Sequence, residues 1–356
     1  MINLPSRYSA ITNSLMNGGF GSVQPVRDNF LGRDVLFKFM QSGHDDAQLR
    51  NEIQMLAKAR SKHIVEIYDV IKDQNGAVQG IIIEHLKGRS FEEFHLEASN
   101  DPTSYLKVVY QIAQALTVLH DADIVHRDLK LDNIKTSSAG IVKLFDFGIS
   151  IEGLDYHTVL NRGTFVYAAP ELFLPGACIT KEMDIYALGV CAWALASAIT
   201  PSVLFERPPQ TSGGVPSIDA VMSGKLAKDV VDIIDSCLST NPASRPTAKG
   251  VCDVIQKHLV RDEHRGTFVY NSNLYQLSKD NRRVGLKFNG LGGIVAGYDG
   301  VQFQITSVEG DVYINNSVAV PWAILHDACV LTFGRAELRN NRYWVTFSSS
   351  HPEVIL

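Results

Sequence analysis

The chain lacks any pair of cysteines placed to share a metal or a redox turn. Its five cysteines, Cys178, Cys191, Cys237, Cys252 and Cys329, are scattered, with no Cys-x-x-Cys unit or ligand spacing. That argues against a cysteine-bound metal and predicts reduced thiols in a cytoplasmic compartment. Excess positive charge is missing too. The net charge of −5 provides no basic field and argues against nucleic acid as the main partner. Met1 to Ser14 mixes polar residues throughout and has no apolar core of a signal peptide. One uncharged run, Ile185 to Phe205, is about long enough to cross a bilayer. Ser197, Thr200, Pro201 and Ser202 interrupt it and Asp184 precedes it, so we read it as a buried helix followed by a loop, with no membrane partner. What is present is length and apolar content: 356 residues, 45% of them hydrophobic, predict two domains and a sizeable core.

The densest chemistry lies in Ile124-Val-His-Arg-Asp-Leu-Lys-Leu-Asp-Asn133, followed by Asp146-Phe-Gly148. One short loop carries a carboxylate (Asp128), an ammonium (Lys130) and an amide (Asn133), and a second carboxylate (Asp146) follows thirteen residues after the amide. Asp128 can accept a hydroxyl proton. Asn133 and Asp146 offer the oxygen ligands that a hard cation such as Mg2+ requires.

His-Arg-Asp-x-x-x-x-Asn with a downstream Asp-Phe-Gly is a protein-kinase signature. On these residues, positions 1 to about 262 resemble a protein kinase domain of the Ser/Thr type. The resemblance implies an α+β two-lobed fold. Its N-lobe (about 1–84) would be an antiparallel sheet plus a helix, and its C-lobe (about 85–262) mostly helical. It also implies ATP and Mg2+ as cofactors and protein Ser/Thr hydroxyls as acceptors, since Asp-Leu-Lys-x-x-Asn accompanies those acceptors in the family. Lys130 would neutralise charge on the transferred group.

Further elements follow in the family's order. Asn17-Gly-Gly-Phe-Gly-Ser-Val23 resembles the glycine-rich loop, in which Gly18, Gly19, Phe20, Gly21 and Val23 would cover the nucleotide. Met16 stands where the family has its first glycine, which implies a stiffer or displaced roof. Val35-Leu-Phe-Lys38 resembles the strand whose lysine meets the α/β phosphates. Asp46 to Arg60 reads as a helix with Leu49, Ile53 and Leu56 on one face, and Glu52 on it matches the glutamate that pairs with that lysine. Ile81 to Leu86 resembles the hinge, with Ile83 as gatekeeper and the backbone of Glu84 and Leu86 facing adenine. Asp101 to His120 reads as a long helix with Leu106, Val109, Ile112, Leu116 and Leu119 as its core stripe.

Asp146 to Glu171 resembles an activation segment ending in Gly163-Thr-Phe-Val-Tyr-Ala-Ala-Pro-Glu171. The resemblance has Thr164 touching the catalytic loop, Glu171 pairing with Arg245, and Asp184 bracing the loop from beneath. Arg127 precedes Asp128, and in the family such an arginine often binds a phosphate on this segment. Thr158 is the leading acceptor, with Ser150 and Tyr156 behind it. The other reading is a segment ordered by packing alone.

After about Arg265 helical periodicity stops. Short runs at Thr267–Tyr270, Arg283–Phe288, Val301–Ile305, Val312–Ile314, Cys329–Phe333 and Tyr343–Phe347, separated by Gly, Asn, Asp and Ser, predict an all-β sandwich over 267–356. We read the glycines of Asn289 to Gly300 as turns. Asp311 to Asn316 and Ala323 to Gly334 resemble the closing strands of a forkhead-associated (FHA) domain. The family's phosphothreonine-binding arginine and Ser-x-x-His element have no counterpart here. Phosphopeptide binding and a docking or self-association role both stay open. For the whole chain, three function classes stand: an active Ser/Thr protein kinase, favoured by Lys38, Glu52, Asp128, Asn133 and Asp146; a pseudokinase scaffold; and a small-molecule kinase, which would generally lack the Ala-Pro-Glu segment.

Overall fold

A computed structural model of the chain describes residues 4–12, 15–18, 21–39, 47–147, 151–152 and 165–352. It divides into two compact units, Met1–Ile255 and Gln256–Leu356.

The first unit opens with strands β1 (Tyr8–Ala10), β2 (Met16–Gly18), β3 (Gly21–Asp28) and β4 (Arg33–Phe39), then helix α1 (Ala47–Lys58), β5 (Ile67–Lys72) and β6 (Val78–Glu84). The strands form one antiparallel sheet in the order β1-β3-β4-β6-β5, with β2 paired to β3. Strand alternation explains the sheet: Val26, Val35, Phe37 and Ile82 bury on one core with Tyr8 and Ile71. Leu49, Met55 and Leu56 bury one side of α1, and Glu52 lies buried among them.

Next come α2 (His95–Ala98), α3 (Pro102–Asp121), β7 (Ile124–Val125), β8 (Ile134–Thr136), β9 (Val142–Leu144), β10 (Ile151–Glu152), α4 (Lys181–Ala196), α5 (Asp219–Met222), α6 (Lys228–Cys237) and α7 (Ala248–Leu259). Asp101 caps α3 by accepting from the backbone N–H of Thr103 and Ser104 at 2.9 and 3.0 Å, and Pro102 occupies the first helical position. The predicted stripe of α3 is buried throughout. α4 is buried on nearly every side and ends at Ala196, before the short turn Ser202–Phe205. Among the described residues no helix is long and apolar enough to cross a membrane.

The second unit contains β11 (Gly266–Tyr270), β12 (Asn273–Leu277), β13 (Arg283–Phe288), β14 (Gly292–Tyr298), β15 (Phe303–Gly310), β16 (Val312–Ile314), β17 (Ser317–Val318), β18 (Ala328–Phe333) and β19 (Tyr343–Ser349). Two antiparallel sheets, β12-β11-β19-β18-β16-β17 and β13-β14-β15, contribute to one apolar core around Phe268, Leu286, Ile305, Leu331, Phe333 and Phe347. Asn315 and Asn316, both at positive φ (46° and 70°), make the two-residue turn between β16 and β17.

Two expectations are corrected. Asn289 to Gly300 is not a run of turns: Gly292–Tyr298 is the central strand of the three-stranded sheet. Ile294, Ala296 and Tyr298 alternate inward, and the glycines sit where the neighbouring strand comes close. A Cβ on Gly292, at φ 151°, would lie 2.8 Å from the Glu309 carbonyl oxygen. The strand predicted from Val301 begins at Phe303, because the Asp299 carboxylate accepts from the N–H of Val301 and Gln302 at 2.8 and 2.9 Å and holds a turn there.

Candidate active site

Lys38 projects from β4, whose neighbours place Val23 and Ile81 opposite it. Its Nζ lies 2.8 Å from both carboxylate oxygens of Glu52 on α1 and 2.9 Å from Asp146 Oδ1. Lys38 is 7% exposed and Glu52 2%. Burial alone pulls the ammonium pKa down, but Glu52 and then Asp146 hold it above its ordinary value. Burial likewise pushes Asp146 up, and the charge and hydrogen bond of Lys38, helped by Lys130, more than reverse this and keep it ionised.

The thirteen-residue spacing between Asn133 and Asp146 is the length of a hairpin. β8 begins directly after Asn133, β9 ends two residues before Asp146, and Ile134 pairs with Leu144. Closing the hairpin therefore sets the two residues side by side, and the Phe145 N–H donates to the Asn133 carbonyl at 3.1 Å. Asn133 Nδ2 donates to Asp128 twice, to the carbonyl at 2.8 Å and to Oδ2 at 2.9 Å. Lys130 Nζ lies 2.7 Å from the same Oδ2. Asp128 is thus a buried carboxylate with two donors on one oxygen.

Beneath this loop, buried Asp184 at the start of α4 accepts from the backbone N–H of His126 at 2.8 Å and Arg127 at 2.9 Å, and pairs with His120 Nε2 at 3.0 Å. Burial raises its pKa, but His120 and the neighbouring donors leave it below the usual carboxylate value. Arg127 and Asp146 take positive φ (68° and 67°), a conformation held by these surrounding bonds. Arg245, with a fully buried side chain, meets Glu171.

Glu84 ends β6, with Ile83 buried before it and Leu86 two residues on. Gly18 pairs with Gly21 across the β2–β3 hairpin, and Met16 pairs with Val23. Gly19, Phe20, Ser150, Tyr156, Thr158 and Thr164 lie outside the described residues. Two residues escaped the sequence reading. Buried His120 offered only a helical position. Lys143 stands between two apolar residues of a strand, and that placement is its one signal.

The oxygen chemistry fits a hard cation. Asn133 commits its amide nitrogen to Asp128, so its amide oxygen is the ligand atom it has to offer, and Asp146 is an ionised carboxylate across the hairpin from it. Among the described residues no group of three or more His, Cys, Asp or Glu is placed for a metal. Mg2+ is often held by one or two protein groups plus substrate phosphates.

A buried lysine shared by two carboxylates and a hydrogen-bonded Asp-Lys-Asn loop thus stand in one compact unit. The family model "Protein kinase domain" matches residues 10–256, and the chain belongs to that family. It is similar to mitogen-activated protein kinase kinase 2 of Arabidopsis thaliana, 28% identical over 257 residues, covering 65% of this chain and 67% of the relative. It is 29% identical over 202 residues to maternal embryonic leucine zipper kinase of Xenopus tropicalis, covering 55% of this chain and 31% of the relative. Serine/threonine-protein kinase TIO of Arabidopsis thaliana is 32% identical over 185 residues, covering 50% of this chain and 14% of the relative. The chain thus spans from about one seventh to two thirds of these relatives' own lengths. Of these relatives, TIO is named as a serine/threonine-protein kinase.

Proposed function

We propose that the chain transfers the γ-phosphoryl group of ATP directly to Ser or Thr hydroxyls of proteins. The observation that carries the reading is Lys38 paired with Glu52, the ion pair that phosphotransfer needs, with Asp146 at the same ammonium. The acceptor oxygen forms its bond to phosphorus as the bond to the β-phosphate oxygen breaks, and Asp128 takes the hydroxyl proton. Lys130 neutralises charge on the transferred group, and Lys38 orients the α/β phosphates. Asn133 and Asp146 would hold Mg2+, which would neutralise phosphate charge when bound. Gly18, Gly19, Phe20, Gly21 and Val23 cover the nucleotide, and the backbone of Glu84 and Leu86 faces adenine. Glu171, Asp184 and Arg245 are structural supports.

A pseudokinase role is disfavoured because Lys38 pairs with both Glu52 and Asp146 and because Asn133 and Lys130 both bond Asp128, and a small-molecule kinase because the Ala-Pro-Glu segment is present. In this reading the enzyme autophosphorylates, with Thr158 the first acceptor, and works in the cytoplasm, in line with its five free thiols. The unit from Gln256 is an FHA-like sandwich serving docking, phosphopeptide binding or self-association. Labelled ATP, Mg2+ and a generic protein substrate test the main claim. Label reaching protein with wild type and not with Asp128→Ala supports it. Binding without transfer favours the scaffold, and label on small molecules alone favours the third class. Mapping of incorporated phosphate to 149–162 tests the autophosphorylation site.

A further inference from the structure

Lys143, the middle residue of β9, is 5% exposed. Val142 and Leu144 on either side of it are buried as well, so the strand is covered on both faces and one face carries an ammonium. Lys143 Nζ lies 2.7 Å from Glu84 Oε2 and 3.3 Å from the Ile64 carbonyl oxygen. Three segments meet at this charge. Glu84 ends β6. Ile64 lies between α1 and β5, in a stretch bound to β9 by Val65 N–H to Leu144 O and Leu144 N–H to His63 O, both 2.9 Å. β9 itself leads to Asp146.

A buried ammonium is costly unless paired, and an apolar side chain of the same length would pack here more simply. The pairing becomes intelligible through what it holds. The Glu84 N–H donates to the Glu66 carbonyl at 2.8 Å, so together with Lys143 both ends of the residue are fixed. We propose that Lys143 is a positioning residue for nucleotide recognition: by anchoring the Glu84 side chain it sets the Glu84–Leu86 backbone that reads the adenine edge. This rests on the hinge reading given above.

The test is equilibrium binding of ATP and of GTP, each with Mg2+, to the full chain, together with kcat and KM for ATP. Lys143→Met removes the charge at similar volume. Its affinity for ATP is expected to fall about tenfold, the scale of one hydrogen bond to a charged group. GTP binding and kcat should change far less, so the preference for adenine narrows. ATP affinity at the wild-type value, equal losses for ATP and GTP, or a fall in kcat alone would each overturn the proposal. If Lys143→Met does not melt cooperatively, Lys143→Met/Glu84→Gln, which leaves no buried charge unpaired, takes its place, and an undiminished adenine preference there overturns it equally. Because binding is read without transfer, a wild-type chain that binds ATP and transfers nothing sinks the kinase activity and leaves this inference standing. One that binds no ATP removes both.

Discussion

Arg245 grips Glu171 through two parallel hydrogen bonds, Nη1 to Oε1 at 2.6 Å and Nη2 to Oε2 at 2.8 Å. The guanidinium also donates to the carbonyls of Ser239 and Glu182 and lies over the Tyr186 ring. Truncating the arginine strands the carboxylate and the two carbonyls. Arg245→Met is therefore expected to lower unfolding stability by about 3–5 kcal/mol. Arg245→Met/Glu171→Gln should recover part of that loss, because the stranded charge is gone. Urea denaturation of both variants checks this, and equal stability of single and double variants would contradict it.

Lys38→Met separates chemistry from folding. The substitution leaves Glu52 and Asp146 without their shared cation, so kcat/KM for protein phosphorylation should fall by at least about 100-fold, the usual loss when one electrostatic donor is removed. Lys38→Met/Glu52→Gln should melt at or above the temperature of the single variant while staying equally inactive. A single variant that transfers phosphate at the wild-type rate removes Lys38 from the mechanism.

The grouping of Lys38 with Glu52 and Asp146, and of Asp128 with Lys130 and Asn133, was legible in the sequence because chemistry restricts such groups to few residue types at tight spacings. Asp128, Lys130 and Asn133 occupy one loop, and the interval to Asp146 is that of a closed hairpin. Lys143 was not legible: a lysine between Val142 and Leu144 has the pattern of a solvated strand position, and only the fold brings Glu84 to it. Glycines hid the strand Gly292–Tyr298, since they carry no side chain to mark an inward face and are also the usual signal of a turn. The division at Ile255 falls inside α7, where Val251, Cys252 and Ile255 keep helical periodicity, so composition does not mark it.

Acid should weaken the fold well before its carboxylates titrate. Burial lowers the pKa of His126, against the opposing charge of Asp184, and also that of His63, which keeps a bond to the Val142 carbonyl. Below the ordinary histidine value of 6.5 the unfolded chain takes up protons that the folded chain refuses, so stability falls as pH falls. Each such histidine contributes a slope of up to about 1.4 kcal/mol per pH unit below that value. Asp146 and Asp184 act lower: their depressed pKa values give stability that is present above the ordinary value of 3.8 and is lost as pH falls through the folded-state value. Urea midpoints measured from pH 7.5 to 5 should decline, with the slope starting near 6.5. A flat profile over that range would contradict the burial of neutral imidazoles.

The second unit offers a comparison between two glycines of one hairpin. Gly290 sits at φ 77°, and a methyl group added there would meet nothing within 4 Å, whereas at Gly292, with φ 151°, the same methyl would lie 2.8 Å from the Glu309 carbonyl oxygen. Gly290→Ala bears backbone strain alone, about 1 kcal/mol. Gly292→Ala combines strain with a backbone clash that only movement of β15 against β14 relieves, and about 2–4 kcal/mol follows. Hydrogen exchange of the Gly292–Tyr298 amides in the full chain reads the difference locally. Gly292→Ala should speed exchange there at least about tenfold more than Gly290→Ala. Equal rates in the two variants would show that the close approach of β15 does not govern this strand.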